Sequence, residues 1–219
     1  MASKKWTFDQ ALLYFQDGTL DLNSNTLKAA LVTSSQVSTY DAWATGTSYD
    51  VGDIVVPTTT ANGRRYICTV AGDSHATTEP TWPTTEEGTV TDNEVTWQEY
   101  GGDLCNLTTW AQISANEVAT GDGYTTGGEA LANLALSLVN QVVSGVTKRG
   151  VKWDADNVTW TALTKTFRYL VVYASGSLNG TTDPLLFYVL LDDTPADVAV
   201  SGVDFSINWH ADGLHVLYM

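Results

Sequence analysis

The sequence predicts an all-β protein, a discontinuous β-sandwich-like domain (1–41 and 102–219) carrying a small inserted Trp-rich β module (42–101). Three observations carry this. Most of the chain is short apolar or aromatic runs bounded by Gly, Pro, Asn or Asp, the pattern of strands joined by turns. Two runs, FRYLVVYAS (167–175) and LLFYVLLDD (185–193), are continuous enough to be strands buried on both faces. Finally, residues 42–101 have their own aromatics, Trp43, Tyr49, Tyr66, Trp82 and Trp97, and their own turn signals. Large aromatics supply most of the buried area that so small a unit needs.

In chain order, KWTFDQALLYFQ (5–16) has no clean period and reads as an extended arm or first strand. Turns follow at Asp17-Gly18 and Asn23-Ser24-Asn25, and LKAALVTSS (27–35) alternates like a half-buried strand. In the module, Asp50-Val51-Gly52-Asp53 and Ala61-Asn62-Gly63 are turns, since Gly and Asn accept positive φ cheaply. Gly121-Asp122-Gly123 and Gly127-Gly128 flank a Tyr-Thr-Thr tripeptide and read as tight turns. No GK[ST] follows, as a phosphate loop would require.

Residues 130–147 are ambiguous on propensity and are read as strands, with a turn at Lys148-Arg149-Gly150. Trp153 and Trp160 flank an Asp-Ala-Asp-Asn turn. Arg168, inside the strongest strand, needs a partner carboxylate and reads as structural. Residues 176–182 form a loop. Val203, Phe205, Ile207 and Trp209 alternate at period two, and Ala211-Asp212-Gly213 turns into Leu214-His215-Val216-Leu217 as a hairpin.

The chain has 219 residues, 25 acids against 10 Lys and Arg, and a formal net charge of −15. That balance argues against nucleic acid or an anionic membrane as a partner, because phosphate binding needs basic patches. No apolar run of about 18 residues is present, and MASKKWTFDQ lacks the apolar core of a signal peptide. The expectation is synthesis in a cytosol. Cys68 and Cys105 read as inert buried thiols. His75, His210 and His215 lack metal-ligand spacing.

No cofactor or catalytic constellation emerges, and adjacent acids such as Glu86-Glu87 and Asp192-Asp193 point to opposite faces of a strand. The chain therefore reads as a binding protein, not an enzyme. Its remaining signal is aromatic: eight Trp and ten Tyr. Exposed aromatics stack on sugar rings or fill interfaces. Trp43 and Trp97 read as core. Trp82, between Pro80 and Pro83, is the best exposed platform, and Trp82, Tyr66 and Trp97 are the candidate glycan-binding residues.

Two resemblances add to this reading. Trp43, Tyr49-Asp50-Val51-Gly52-Asp53-Ile54-Val55, Arg65-Tyr66-Ile67-Cys68 and Val95-Thr96-Trp97 resemble the small Trp-rich β modules related to chitin-binding and carbohydrate-binding domains, frequent in tailed-phage structural proteins. The flanking chain resembles a family of small tailed-phage virion proteins. The carrying residues are Leu27-Lys28-Ala29-Ala30-Leu31-Val32-Thr33, Ile113-Ser114-Ala115-Asn116-Glu117-Val118, Gly123-Tyr124-Thr125-Thr126-Gly127-Gly128, Thr166-Phe167-Arg168-Tyr169, Pro184-Leu185-Leu186 and Phe205-Ser206-Ile207-Asn208-Trp209. In shorter members a brief loop separates the first two motifs, and here the module occupies it.

The resemblance implies a virion structural protein, most simply a capsid decoration protein on the outer capsid surface. Its implied partners are the major capsid protein and its own copies, as homotrimer or homodimer. The alternative is a tail- or fibre-associated protein whose module binds host surface glycan.

Overall fold

The computed structural model describes residues 3–143, 145–209 and 214–218. The chain is all-β: nearly all of its regular structure is strand, gathered in several sheets that do not close into a barrel.

The main sheet has five antiparallel strands in the order Lys4–Thr7, Leu185–Leu190, Tyr169–Ser175, Thr26–Val32 and Glu129–Ala130. The strongest apolar run lies at its centre. Tyr169 to Ala174 are all buried, as a strand with neighbours on both edges and packing on both faces must be. Its cover includes the antiparallel ribbon of Val158–Phe167 and Val198–Ile207, which turns Trp160, Leu163 and Phe167 inward. Phe205 packs edge-on to Phe167 at 4.9 Å between centroids. The register slips between Trp160 and Leu163, where Ala162 adopts positive φ, and Val203 is left exposed. A third sheet holds Ala135–Val143, Val146–Asp154 and His215–Tyr218.

The core divides in two. One cluster draws its side chains from Phe8 to Val32 and from Leu104 to Leu214. The other is Trp43, Tyr49, Val55, Tyr66, Cys68, Val95 and Trp97, with Trp82 and Val90 against it. This second cluster sits on its own sheet, ordered Asp41–Ala42, Ile54–Val56, Arg64–Val70, Val95–Gly102 and Thr89–Asp92. Gly52 and Gly63, at φ +103° and +72°, supply the turns that its short strands need.

Several local expectations are corrected. Residues 5–16 are not one extended arm, because Ala11–Gln16 is a short helix after the first strand. Its buried Ala11, Tyr14 and Phe15 have i, i+3, i+4 spacing, too brief to stand out as a period. The turn at Lys148-Arg149-Gly150 is instead strand. The hairpin reverses earlier, pairing Val143 with Val146, with Gly145 at φ +77°. Residues 177–182 are a tight hairpin, with Asn179 and Gly180 both at positive φ, the Asn-Gly pattern of a two-residue turn. Arg168 lies between strands, ending the ribbon and starting the central strand. The last strand pairs with Val146–Asp154 and not with Val198–Ile207, so no hairpin joins them. The Ala211-Asp212-Gly213 turn and His210 fall outside the described residues.

The two glycine pairs have conformational work. A Cβ on Gly123 would lie 2.5 Å from the Thr161 carbonyl oxygen, and one on Gly128 would overlap the Ala29 backbone. This close packing brings Tyr124 to the edge of Thr26–Val32. Its hydroxyl accepts from the Leu31 N–H (3.0 Å) and donates to Glu117 Oε1 (2.7 Å).

Candidate functional site

Two regions of the module combine unusual side chains with space for a partner: the aromatic stack at Trp82 and the junction with the body. In the stack, Trp82 lies 4.3 Å from the Tyr66 ring and 5.9 Å from Trp97, centroid to centroid. The sequence-predicted trio is thus brought together, but not as one exposed surface. Tyr66 and Trp97 are fully buried and have no face for a sugar. They lie on central strands of a small sheet, on the face that packs into the module core. Trp82 alone is half-exposed.

Each ring is held by hydrogen bonds. The Trp82 indole N–H donates to Glu79 Oε1 (2.8 Å). Glu79 also accepts from the Thr58 and Thr59 N–H groups (2.7 and 2.8 Å), which bind the 58–60 loop to the Trp82 loop. Those bonds hold the Glu79 carboxyl below the ordinary glutamate range, against the opposing cost of its partial burial. Tyr66 donates to the Pro83 carbonyl (2.8 Å) and accepts from Asn62 Nδ2 (2.7 Å). Burial pushes its phenol up to about 12. The result is a shallow groove of about 340 Å³, floored by Trp82 and walled by Thr59, Thr60, Asn62, Glu79, Pro80 and Thr84. An aromatic floor with hydroxyl and amide rims can stack on and hydrogen-bond a sugar.

Beneath the stack is a residue that the sequence reading passed over. Asp92 is buried and accepts from both the Trp43 and Trp97 indole N–H groups (2.8 and 3.2 Å) and from the His75 backbone N–H (3.0 Å). Placing acids in the interior is costly unless donors converge on them, as three do here. His75 has a local role too, its Nδ1 accepting from the Thr77 and Thr78 N–H groups. Among the described residues no cluster of three His, Cys, Asp or Glu side chains could hold a metal. Cys68 and Cys105 are free and buried, and burial pushes the Cys105 thiol up to about 12.

The junction is built on Arg64 and Arg65. Successive residues of a strand face opposite ways, so the pair grips the body from both faces of its strand. Arg64, 1% exposed at the side chain, bonds Glu99 of the module (3.2 Å) and Asp193 of the body (2.8 Å). Its guanidinium stands 5.4 Å from the Trp6 ring centroid. Arg65 forms a two-pronged bond to Asp9 (2.8 and 2.9 Å), donates to the Tyr100 carbonyl (3.0 Å), and lies between the Tyr40 and Tyr100 rings. It also meets the Tyr40 hydroxyl. Gly102 makes the closest approach: a Cβ there would overlap the Tyr188 hydroxyl and crowd Trp6.

Beside this lock is a cavity of about 290 Å³ bounded by Val37, Tyr40, Val56, Asn62, Asp103, Arg168 and Tyr169. Asp103 is buried, and burial raises its carboxyl to about 6, outweighing nearby hydrogen bonds and Arg168. Arg168 has its partner carboxylate in Asp197 (2.8 Å).

No protein-family model, curated protein or solved structure matches the chain.

Proposed function

We propose that this chain is a virion structural protein of a tailed phage, a capsid decoration protein that binds the outer shell through the major capsid protein and displays its module outward. It acts by binding. Each copy spans a junction between capsomers, and many modest contacts on a symmetric shell sum to resistance against internal pressure. The observation that carries the reading is the charge arrangement of the module. Residues 42–101 hold nine acids and two basic residues, and both basic residues, Arg64 and Arg65, are buried at the junction. The module's outer surface is therefore anionic, suited to facing solvent and unsuited to packaged DNA. The double-arginine lock would hold it at a fixed attitude, as a surface display requires.

The test is binding of purified protein to emptied, expanded capsids that lack it, read by sedimentation and electron microscopy. Saturable, regularly spaced occupancy is expected. No occupancy of shells, with labelled protein on tails instead, would overturn the proposal.

A second reading is favoured by one observation, the groove over Trp82. In it the protein is tail- or fibre-associated and the module binds host surface glycan. Trp82→Ala should then abolish glycan-array binding shown by the parent protein while leaving the fold intact. Binding that survives the substitution would remove this groove from the reading.

A further inference from the structure

The hairpin of Ala135–Val143 and Val146–Asp154, like the ribbon of Val158–Phe167 and Val198–Ile207, has a long edge that nothing pairs with among the described residues, and it also carries exposed leucines. The final strand, His215–Tyr218, covers only Gly150 to Trp153 on one edge. Among the described residues nothing pairs with the outer edge of Ala135–Val143, a nine-residue strand without proline. Long, flat, unpaired edges are what monomeric proteins avoid, because they pair readily with another chain. A two-stranded ribbon alone is marginal in water.

The ribbon also exposes apolar side chains. Leu136, Leu138 and Val146 are 56%, 64% and 59% exposed. Cross-strand pairing of Leu136 with Trp153, Leu138 with Val151 and Asn140 with Arg149 puts Leu136, Leu138 and Arg149 on one face. Lys148 and Val146 lie on the other.

Charge indicates what covers the leucine face. Residues 135–154 contain Lys148, Arg149 and Lys152 against Asp154, a net +2; Arg149 is the charge on the leucine face, and Lys152 pairs with Asp154 on the other. With −15 for the whole chain, the remaining residues sum to −17. The ribbon is thus a cationic, apolar arm on a strongly anionic body, and the surface it complements is that of the protein itself.

We propose that this hairpin is a self-association arm, docking its Leu136, Leu138 and Arg149 face on the acidic surface of a second copy of this chain. Reciprocal exchange of arms closes a dimer, and head-to-tail docking closes a ring such as a trimer. The inference does not depend on the shell: it is tested on the purified full chain, so its failure and that of the decoration role are separate results.

The experiment is sedimentation velocity up to about 100 µM protein, in low and high salt. The parent chain should form a discrete oligomer that weakens as salt rises. Leu136→Asp with Leu138→Asp, and separately Arg149→Glu, should each weaken association by roughly tenfold or more. Far-UV circular dichroism should be unchanged, since the altered side chains are exposed. Lys148→Glu changes net charge by the same amount from the opposite face and should weaken association far less.

A parent chain that stays monomeric overturns the proposal, and binding of that monomer to anionic vesicles or DNA would assign the arm to those partners. An oligomer indifferent to the leucine and Arg149 changes overturns it as well. So does a loss from Lys148→Glu equal to that from Arg149→Glu, which would make the effect one of net charge alone.

Discussion

Replacing Asp103 by Asn should stabilise this protein at neutral pH and not at pH 4. Asp103 follows the module's last strand and is buried beside the junction cavity. Burial raises its carboxyl from the ordinary 3.8 to about 6. Below about pH 4 the group is neutral in both the folded and unfolded states. Between about 4 and 6 the unfolded chain releases the proton and the folded chain keeps it, so stability falls as pH rises. Above about 6 the loss is complete, and at about 1.4 kcal/mol per pH unit it approaches 3 kcal/mol. Asn keeps the shape and cannot ionise, and Tyr188, which approaches Asp103 Oδ1 at 3.5 Å, retains an oxygen acceptor. In a chain of this size the gain corresponds to roughly 6–12 °C in Tm. Urea unfolding followed by tryptophan fluorescence at pH 4 and pH 7.5 measures it, since the eight tryptophans occupy both cores. Comparing the two proteins at each pH cancels the other titrating groups. Equal stability differences at both pH values would refute the reasoning, because they would mean that ionised Asp103 is as well accommodated as in water.

The junction arginines should differ in cost. Arg64→Ala leaves Glu99 buried without its cation and should lose about 3–5 kcal/mol, whereas Arg65→Ala releases a half-exposed Asp9 to water and should lose about 1–2 kcal/mol, mainly packing and hydrogen bonds. Limited proteolysis near residues 41 and 102 should accelerate in both variants, and the order is read by urea unfolding. Asp92→Ala orphans two buried indole N–H groups and should cost about 2–5 kcal/mol. Its loss should appear in the module's tryptophan fluorescence before the body unfolds, and an unchanged emission maximum would contradict the role given to Asp92.

The body was legible where hydrophobicity alone decides structure. A run such as Tyr169 to Ala174 has one way to bury all its side chains, between two neighbouring strands, and the main sheet provides it. Local signals shorter than the period they must display were not legible. The helix at Ala11–Gln16 makes under two turns, and the Asn179-Gly180 turn was visible as a dipeptide but joins strands of only two residues each. The partner of the last strand was hidden for another reason: sequence adjacency favours a hairpin, and here the chain crosses to a different sheet.

At the candidate site, aromatic count found the right neighbourhood: Trp43 and Trp97 are core and Trp82 meets solvent, as expected, while the glycan-binding trio included Tyr66 and Trp97, which have no exposed face. Tyr66, Trp82 and Trp97 do stack, but the stack is mostly core, and only the outermost ring meets solvent.

The charged residues that organise the module were the least visible. Asp92, Arg64 and Arg65 look like ordinary surface residues in an acidic chain, since burial of a charge depends on partners brought from distant positions. Yet a signal exists for the arginines. They are the only basic residues in a 60-residue stretch with nine acids. Were they on the surface, they would be scattered among those acids. Adjacent on one strand, and therefore facing opposite ways, they can each reach a separate carboxylate of the body. An insertion tethered only by its two chain crossings would swing about them. Two ion pairs made by buried arginines on opposite faces of one strand remove that freedom, so the orientation of the module belongs to the fold and whatever the module meets is met at a set angle.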